Sequence, residues 1–287
     1  MAEAVSVLLH APRTRRLPNR RATLCAVIAA VVLLGSIVVV GQALAPAATQ
    51  TDFAHKDIAP CLGHPFGTDQ MGRDMLVRTI AGLSLSILVG LGAACASSVI
   101  ALALGSAAAL CGKRVDAAVL WLIDLMQGIP HIVLLVLISF ALGKGFWGVS
   151  VGVALTHWPA LTRVIRAEVL QCRTSGYVSV ARSLGTSRAR IALRHMLPAV
   201  LPQFIVGLIL MFPHAILHEA AITFLGFGLS PEQPAIGIIL SESMSYLSAG
   251  MWWLAVFPGL ALIGVVMVFD VVGSGIRRLV DPNSSQE

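Results

Sequence analysis

Residues Tyr177–Pro198 read YVSVARSLGTSRARIALRHMLP, and this stretch decides how the rest of the chain is interpreted. Long apolar runs flank it, yet the segment itself carries several arginines and no acidic residue. Apolar residues recur at helical spacing before and after Gly185, which is followed by Thr186 and Ser187. Glycine tolerates positive φ and serine caps helices, so the pattern predicts two short helices joined by a turn. A basic helical hairpin between apolar runs is typical of a cytoplasmic loop in a membrane protein.

The composition excludes an ordinary soluble domain. Of the 287 residues, 57% are hydrophobic and only 12% are charged, whereas a soluble domain is about one quarter charged. We therefore predict an all-α, polytopic membrane protein surrounded by lipid. The net charge of +6 is concentrated in particular loops, so it does not indicate a nucleic-acid partner. The five cysteines show no paired spacing, which argues against a disulfide framework.

The first apolar run, at 22–45, has two interpretations. A basic tail at 1–21 precedes it, and Ala43-Leu44-Ala45 at its end resembles a cleavage site, as in a signal peptide. However, the run is long for a signal peptide, and further apolar runs follow. We therefore favour an uncleaved first transmembrane helix.

The remaining chain predicts five more transmembrane helices, giving six in all. A polar loop at 46–82 leads into a five-helix core at 83–275, which contains a basic loop at 163–198, and a tail at 276–287 follows. The predicted core helices cover approximately 83–110, 117–142, 146–161, 199–221 and 252–272.

The distribution of positive charge predicts the orientation. Of the 20 Lys and Arg residues, sixteen fall in the two tails and in the loops on the same side as the tails. The remaining four are Lys56, Arg73, Arg78 and Lys144. Because basic residues concentrate on the cytoplasmic side, we expect both termini and the 163–198 loop in the cytoplasm, and the 46–82 loop outside.

A second informative stretch, HPFGTDQMGRDMLVRTIAGLSLSI, occupies positions 64–87. Gly67-Thr68-Asp69 predicts a turn, after which Thr68 or Asp69 would cap a short helix. Asp69 and Arg73 are spaced for an i,i+4 ion pair on such a helix.

Together the two stretches resemble bacterial ABC importer permeases. The Tyr177–Pro198 segment is similar to the EAA loop of that family, with Gly185 and Leu197-Pro198 at matching positions, although the Glu-Ala-Ala triplet reads Ser179-Val180-Ala181 here. Positions 64–87 resemble the GTDxxGRDxxSRxxxGxxxSL signature of the dipeptide, oligopeptide and nickel branch. The signature residues are Gly67, Thr68, Asp69, Gly72, Arg73 and Asp74.

The resemblance implies a type I importer permease fold in a bacterial inner membrane, with the basic loop docked on an ATPase subunit. On its own, the loop would also fit an ordinary basic cytoplasmic segment. The residues that would couple to the ATPase are Tyr177, Ala181, Leu184, Gly185, Arg188, Leu197 and Pro198.

The resemblance also implies partners. These are a second homologous permease chain, two ABC ATPase subunits and a periplasmic or lipid-anchored substrate-binding protein. No GxxxxGK[ST] motif occurs in the chain, so we expect it to be a transporter subunit, not an enzyme, with no cofactor of its own and with ATP on the partner subunits.

Polar residues within the apolar runs are candidates for the substrate path. His214 and His218 share one helical face, and His131 and His157 fall at similar estimated depths. Imidazole and carboxylate groups suit Ni²⁺, Zn²⁺, Cu²⁺ or a chelate of one. For any single histidine an interhelical hydrogen bond is the favoured interpretation, and it is the grouping of several that makes the metal interpretation comparable. We expect no fixed metal site, because cargo must be released. The candidates are His131, His157, His214, His218, Glu219 and Asp124, and for Asp124 a structural hydrogen bond is favoured.

Two segments favour the nickel-type members of the resembled family. Thr156–Arg166 contains a His-Trp pair, and His214–Leu229 begins with two histidines at i,i+4 spacing, as those members do. The predicted function is therefore import of a metal ion or metal chelate, with a dipeptide or oligopeptide permease as the alternative. An intramembrane metalloenzyme built on His214, His218 and Glu219, or a channel, would leave the loop around Gly185 unexplained.

Overall fold

Long helices dominate the structure, because apolar, helix-compatible residues run for roughly 20 positions or more between turns. The computed structural model describes residues 20–280, and over that range it contains a single isolated bridge and no strand. The predicted all-α class is confirmed. The helices of this range are α1 Arg20–Leu44, α2 Met75–Leu110, α3 Lys113–Gly128, α4 His131–Ala141, α5 Gly145–Arg173, α6 Gly176–Ser183, α7 Arg188–Ile191, α8 Leu197–Phe224, α9 Ile236–Leu247 and α10 Trp253–Val280.

Helix α2 is the central element of the bundle. Its 36 residues correspond to a length of roughly 54 Å, and it packs against α1, α5 and α8. Asp74 caps its first turn by accepting hydrogen bonds from the backbone N–H groups of Leu76 and Val77, so the predicted capping by Thr68 or Asp69 was wrong. Small residues allow close packing: a Cβ on Gly105 would lie only 2.8 Å from the carbonyl oxygen of Thr162 on α5.

The third predicted span is not one helix. Helices α3 and α4 meet at an angle of 94°, with Ile129 and Pro130 between them. Proline lacks an N–H group and disfavours helical geometry in the residue before it, and Ile129 is indeed extended, with φ −98° and ψ 135°. The break makes His131 the first residue of α4.

Other helix ends also differ from the sequence prediction. Helix α5 continues to Arg173, well beyond the predicted end at position 161, so the first third of the 163–198 loop is helical. Helix α9 lies in a segment for which no helix was predicted. The basic tail at 1–21 lies outside the described residues except for its last two, as does the tail at 276–287 beyond Val280.

Among residues 20–280, four helices are long and apolar enough to cross a membrane, or five if the bent α3–α4 pair forms one span. Helix α5 is 29 residues long but carries Arg163, Arg166, Glu168 and Arg173 in its second half, and it is not among the four. The predicted number of six transmembrane helices is therefore not confirmed.

The two informative stretches lie at opposite ends of α2. Positions 64–74 lead directly into its first residue, Met75. At its other end, the Arg173 Nη1 donates a hydrogen bond of 3.1 Å to the carbonyl oxygen of Ala109, next to the segment that holds Gly185. We call the first the signature end and the second the loop end.

Candidate functional site

A buried ion-pair network holds the signature end together. Asp69 is 2% exposed, and its carboxylate accepts hydrogen bonds from Arg73 Nε at 2.7 Å and from Arg78 Nη1 at 2.6 Å. Both guanidinium groups also donate to Glu242 Oε2 on α9, at 3.1 and 3.0 Å. The Asp69–Arg73 pair was predicted from its spacing. The network fastens the signature loop and the start of α2 to α9, which indicates a structural role.

Two signature glycines are required by the backbone of the same loop. Gly67 and Gly72 have φ values of +72° and +73°. A Cβ on Gly72 would collide with the backbone of Asp52, and one on Gly67 would lie 2.7 Å from the carbonyl oxygen of Ile58. Thr68 is also tied in, since its hydroxyl group donates to the carbonyl oxygen of His55 at 2.6 Å. Most of the signature therefore specifies the shape of this loop.

A cavity with a volume of about 850 Å³ lies within the bundle. Residues from α3, α4, α5 and α8 line it, and most of its surface is apolar. Its polar groups come mainly from Gln127, Thr156 and four histidines, which are His131, His157, His214 and His218. An apolar cavity with a few convergent polar groups is the usual form of a ligand-binding site.

Three of the four histidines are in mutual contact. The ring centroid of His131 lies 4.7 Å from that of His157 and 4.5 Å from that of His218. The centroids of His157 and His218 are 5.0 Å apart. One ligand atom from each ring can be chosen such that all three lie within 4.8 Å of one another. We call these residues the histidine trio.

Each member of the trio reaches its position for a local reason. His131 opens α4 directly after the Pro130 break, whereas His157 lies inside α5 and His218 inside α8. His218 is six residues from the end of α8, or roughly 9 Å, so the trio lies in the half of that helix nearer the signature end. His214 lines the same cavity one turn away, and its side chain is outside the trio.

Backbone carbonyl groups orient two of the rings. His157 Nδ1 lies 2.9 Å from the carbonyl oxygen of Val153, and His218 Nδ1 lies 2.7 Å from that of His214. Because a carbonyl group only accepts, both Nδ1 atoms carry the proton in neutral imidazole, and each Nε2 keeps its lone pair. His157 Nε2 also lies 3.3 Å from His218 Nδ1, where it can accept a shared hydrogen bond.

Two predicted path residues lie away from the trio. Glu219 is fully buried outside the cavity lining, and its Oε1 accepts a hydrogen bond of 2.9 Å from Thr223 Oγ1. Asp124 pairs with Arg163 Nη2 at 2.7 Å on an exposed surface between α3 and α5 and does not line the cavity. The favoured structural role for Asp124 agrees with this position.

At the loop end, Gly185 forms the predicted turn. Its φ is +77°, the backbone N–H of Gly185 donates to the carbonyl oxygen of Arg182, and that of Thr186 donates to Ala181. These two bonds constitute a Schellman motif, a helix ending that normally requires glycine. The Ser187 hydroxyl group accepts from the backbone N–H of Arg190 at 3.4 Å, so it caps the next turn, as expected.

The same segment exposes large apolar side chains. Tyr177 and Val180 of α6 are about half exposed, and Leu184 is 79% exposed, whereas Val178 on the opposite face is buried. Helix α7 then enters α8 through a wide π turn, Ala192–Met196, with Leu197 and Pro198 at the start of α8. The exposed row of Tyr177, Val180 and Leu184 is therefore available to a partner.

Comparison with known proteins identifies the class. The family described as "Binding-protein-dependent transport system inner membrane component" matches residues 99–286. The chain belongs to this family: it is a multi-pass permease subunit of the inner membrane, of the ABC importer type. The described chain superposes on a permease from a structure titled "Inward facing conformations of the MetNI methionine ABC transporter", with a TM-score of 0.59 and 20% identity, over 72% of this chain and 96% of that one. At that identity the likeness concerns the fold.

The more similar relatives carry names that refer to peptides. A Brucella suis protein with a provisional name, peptide transport system permease protein, is 35% identical over 95% of this chain and 92% of its own length. A Brucella abortus protein with an equivalent provisional name is 35% identical over 88% of this chain and 86% of its own. The dipeptide transport system permease protein DppC of Bacillus subtilis is 29% identical over 85% and 77% of the two chains.

Proposed function

We propose that the chain is one permease subunit of an ATP-driven importer whose cargo is a short peptide. The main support for this proposal is the similarity to peptide and dipeptide permeases along most of the chain. The cavity agrees with this cargo, since about 850 Å³ lies in the range of small-ligand sites, and its lining combines apolar side chains with a few hydrogen-bonding groups. The peptide alternative is thus preferred to the nickel-type function that the sequence alone favoured.

We propose that ATP hydrolysis on a partner subunit drives transport through contacts at the loop end. The exposed row of Tyr177, Val180 and Leu184 offers an apolar surface for an ATPase subunit, and Gly185 fixes the turn beside it. Ala181, Arg188, Leu197 and Pro198 complete the proposed coupling segment. Closure of an ATPase dimer would need two such segments to act on. One chain supplies one segment, so we propose a second homologous permease, two ATPase subunits and a substrate-binding protein as partners.

A second candidate cargo is a metal ion or metal chelate. The specific observation in its favour is the histidine trio in the cavity wall, because imidazole is a common ligand for Ni²⁺, Zn²⁺ and Cu²⁺.

Narrowing the cavity is expected to abolish peptide uptake. Ala160 lines the cavity, and Ala160→Phe would fill part of it without replacing a hydrogen-bonding group. The measurement is ATP-dependent uptake of labelled dipeptide and tripeptide, and of radioactive nickel, in vesicles that contain the permease and its partner subunits. Wild-type vesicles should accumulate peptide, and Ala160→Phe vesicles should lose most of that uptake at equal permease levels.

The control is Ala26→Phe, an exposed position on α1 away from the cavity, which should transport normally. Nickel uptake without peptide uptake in the wild type would reject the peptide proposal in favour of the second candidate. Equal peptide uptake by both variants would show that the cavity is not the path.

Orientation is predicted to place the loop end in the cytoplasm and the signature end outside. After replacement of the five native cysteines, which are all free thiols, single cysteines at Ser183 and Lys56 supply exposed probes. An impermeant thiol reagent added to intact spheroplasts should label Lys56→Cys alone, and inside-out vesicles should show the reverse. Labelling of both probes from the same side would contradict the proposed topology.

A further inference from the structure

We propose that His131, His157 and His218 together bind a divalent transition-metal ion, and that the ion arrives as a chelate with the cargo. The inference rests on the proposed function only in taking the cavity as the cargo path. It names a ligand class, peptide or amino-acid complexes of Ni²⁺, Zn²⁺ or Cu²⁺, that would account for both the peptide-named relatives and the histidine trio.

The spacing of the trio is close to that of a metal site. Tetrahedral coordination with metal–nitrogen bonds of about 2.0–2.1 Å places neighbouring ligand nitrogens about 3.4 Å apart. One nitrogen chosen from each ring gives a set of three that all lie within 4.8 Å of one another. Closing around an ion therefore needs a contraction of at most about 1.4 Å between side chains that project from three different helices.

The surroundings of the rings also resemble a metal site. In metal-binding histidines the second ring nitrogen usually donates to a carbonyl or carboxylate group, which fixes the tautomer. The carbonyl groups of Val153 and His214 fulfil this role for His157 and His218. His131 Nε2 is a buried atom with no hydrogen-bond partner in the described chain. An imidazole nitrogen left without a partner costs free energy, and a bound ion would remove that cost.

The charge of the cavity favours a chelate over a bare ion. None of the described residues that line the cavity is acidic, and both Glu219 and Asp124 lie outside its lining. Three neutral imidazoles would leave the two positive charges of the ion uncompensated within the membrane-spanning part of the bundle, which is unfavourable. A cargo with a carboxylate group and an amine would neutralise the ion and occupy the coordination positions that three histidines leave open.

This arrangement also explains how the site could release its load. A closed cage of four protein ligands would retain the ion, whereas a site completed by the cargo loses ligands when the cargo leaves. The rings come from α4, α5 and α8, so a movement of these helices during transport would separate the three ligands.

The test measures binding of Co²⁺, a spectroscopic substitute, to the purified full-length chain in its assembled complex without nucleotide. The affinity tag must contain no histidine. Wild-type protein should bind about one Co²⁺ per permease chain at this site with the visible absorption of a four- or five-coordinate ion, and adding the dipeptide glycylglycine should strengthen the binding. His131→Phe should weaken it by about 10-fold or more. This variant keeps an aromatic ring and loses no hydrogen bond that the structure assigns to His131 Nε2.

His55→Ala is the control, since His55 is an exposed histidine outside the cavity and its replacement should leave Co²⁺ binding at the trio unchanged. Comparison of variants also removes any contribution of His55 and His64 near the signature end, whose rings are 6.0 Å apart. Equal Co²⁺ affinity in the wild type and His131→Phe would overturn the proposal. Binding does not depend on transport, so failure here is distinguishable from failure of peptide uptake.

Discussion

Replacing Asp69 with alanine is expected to leave little folded permease in the membrane. The Asp69 carboxylate accepts four hydrogen bonds, from the backbone N–H groups of Met71 and Arg73 and from the guanidinium groups of Arg73 and Arg78. Its removal would leave two nearly buried positive charges with Glu242 as their remaining acidic partner. Loss of one member of a buried ion network typically costs about 3–5 kcal/mol, which is a large part of the stability of a typical domain.

The measurement is the amount of monodisperse permease extracted in mild detergent, together with its thermal aggregation temperature. Asp52→Ala is the matched control, because Asp52 is an exposed acidic residue of the same loop whose side chain pairs locally with His55. A hydrogen bond from His55 holds the pKa of the Asp52 carboxyl group below its usual value, but its exposure makes the pair weak. If Asp69→Ala accumulates and aggregates as Asp52→Ala does, the network is not what stabilises the signature end.

Local sequence was sufficient to predict one of the four ion pairs of that network. Asp69 and Arg73 are four residues apart, and this spacing predicted the pair, although the structure forms it in a turn before α2 and not on the expected short helix. Glu242 is separated from Arg78 by 164 positions, and only the packing of α9 on the start of α2 makes it a partner. The helix that carries Glu242 was itself missed, because its polar run at 241–245 reads as a loop.

The histidine trio was also predictable only in part from the sequence. The spacing of His214 and His218 predicts a shared face, and helix rise predicts that His131 and His157 lie at comparable depths. Which of them meet depends on the Pro130 break, which turns α4 toward α5 and α8. The signal for that break was present in the sequence, since proline disfavours helix in the preceding residue, but the uninterrupted apolar run concealed it.

Glu219 shows that two neighbouring residues in the sequence need not belong to the same site. It follows His218 directly, which suggested a shared role, but consecutive residues on a helix differ by about 100° in direction. His218 consequently reaches the cavity, and Glu219 is buried among packed helices, where Thr223 donates to it.

The end of α5 was predicted too early for a different reason. Charged residues end an apolar run at the membrane boundary, but they do not end a helix that continues beyond it.

Gly185→Val is expected to detach the permease from its ATPase subunits while the membrane helices stay folded. A β-branched residue at φ +77° is strongly disfavoured, and the left-handed region costs an ordinary residue about 1–2 kcal/mol. The helix ending formed by the N–H groups of Gly185 and Thr186 should open and displace Leu184 from the proposed docking surface. A change of 1.4 kcal/mol, which lies within this range, corresponds to about 10-fold in affinity, so retention of the ATPase should fall by about that factor.

Gly185→Asn is the control that separates the effect of the turn conformation from the effect of adding a side chain at this position. Asparagine tolerates positive φ, and no atom lies within 4 Å of a Cβ at this position, so neither variant should clash with the bundle. The measurements are the amount of ATPase that co-purifies per permease chain and the ATP-driven uptake of cargo. Gly185→Asn should retain most of both, whereas Gly185→Val should lose both at normal permease levels in the membrane. If the valine variant retains its ATPase as fully as the asparagine variant does, then the turn at Gly185 does not hold the coupling surface.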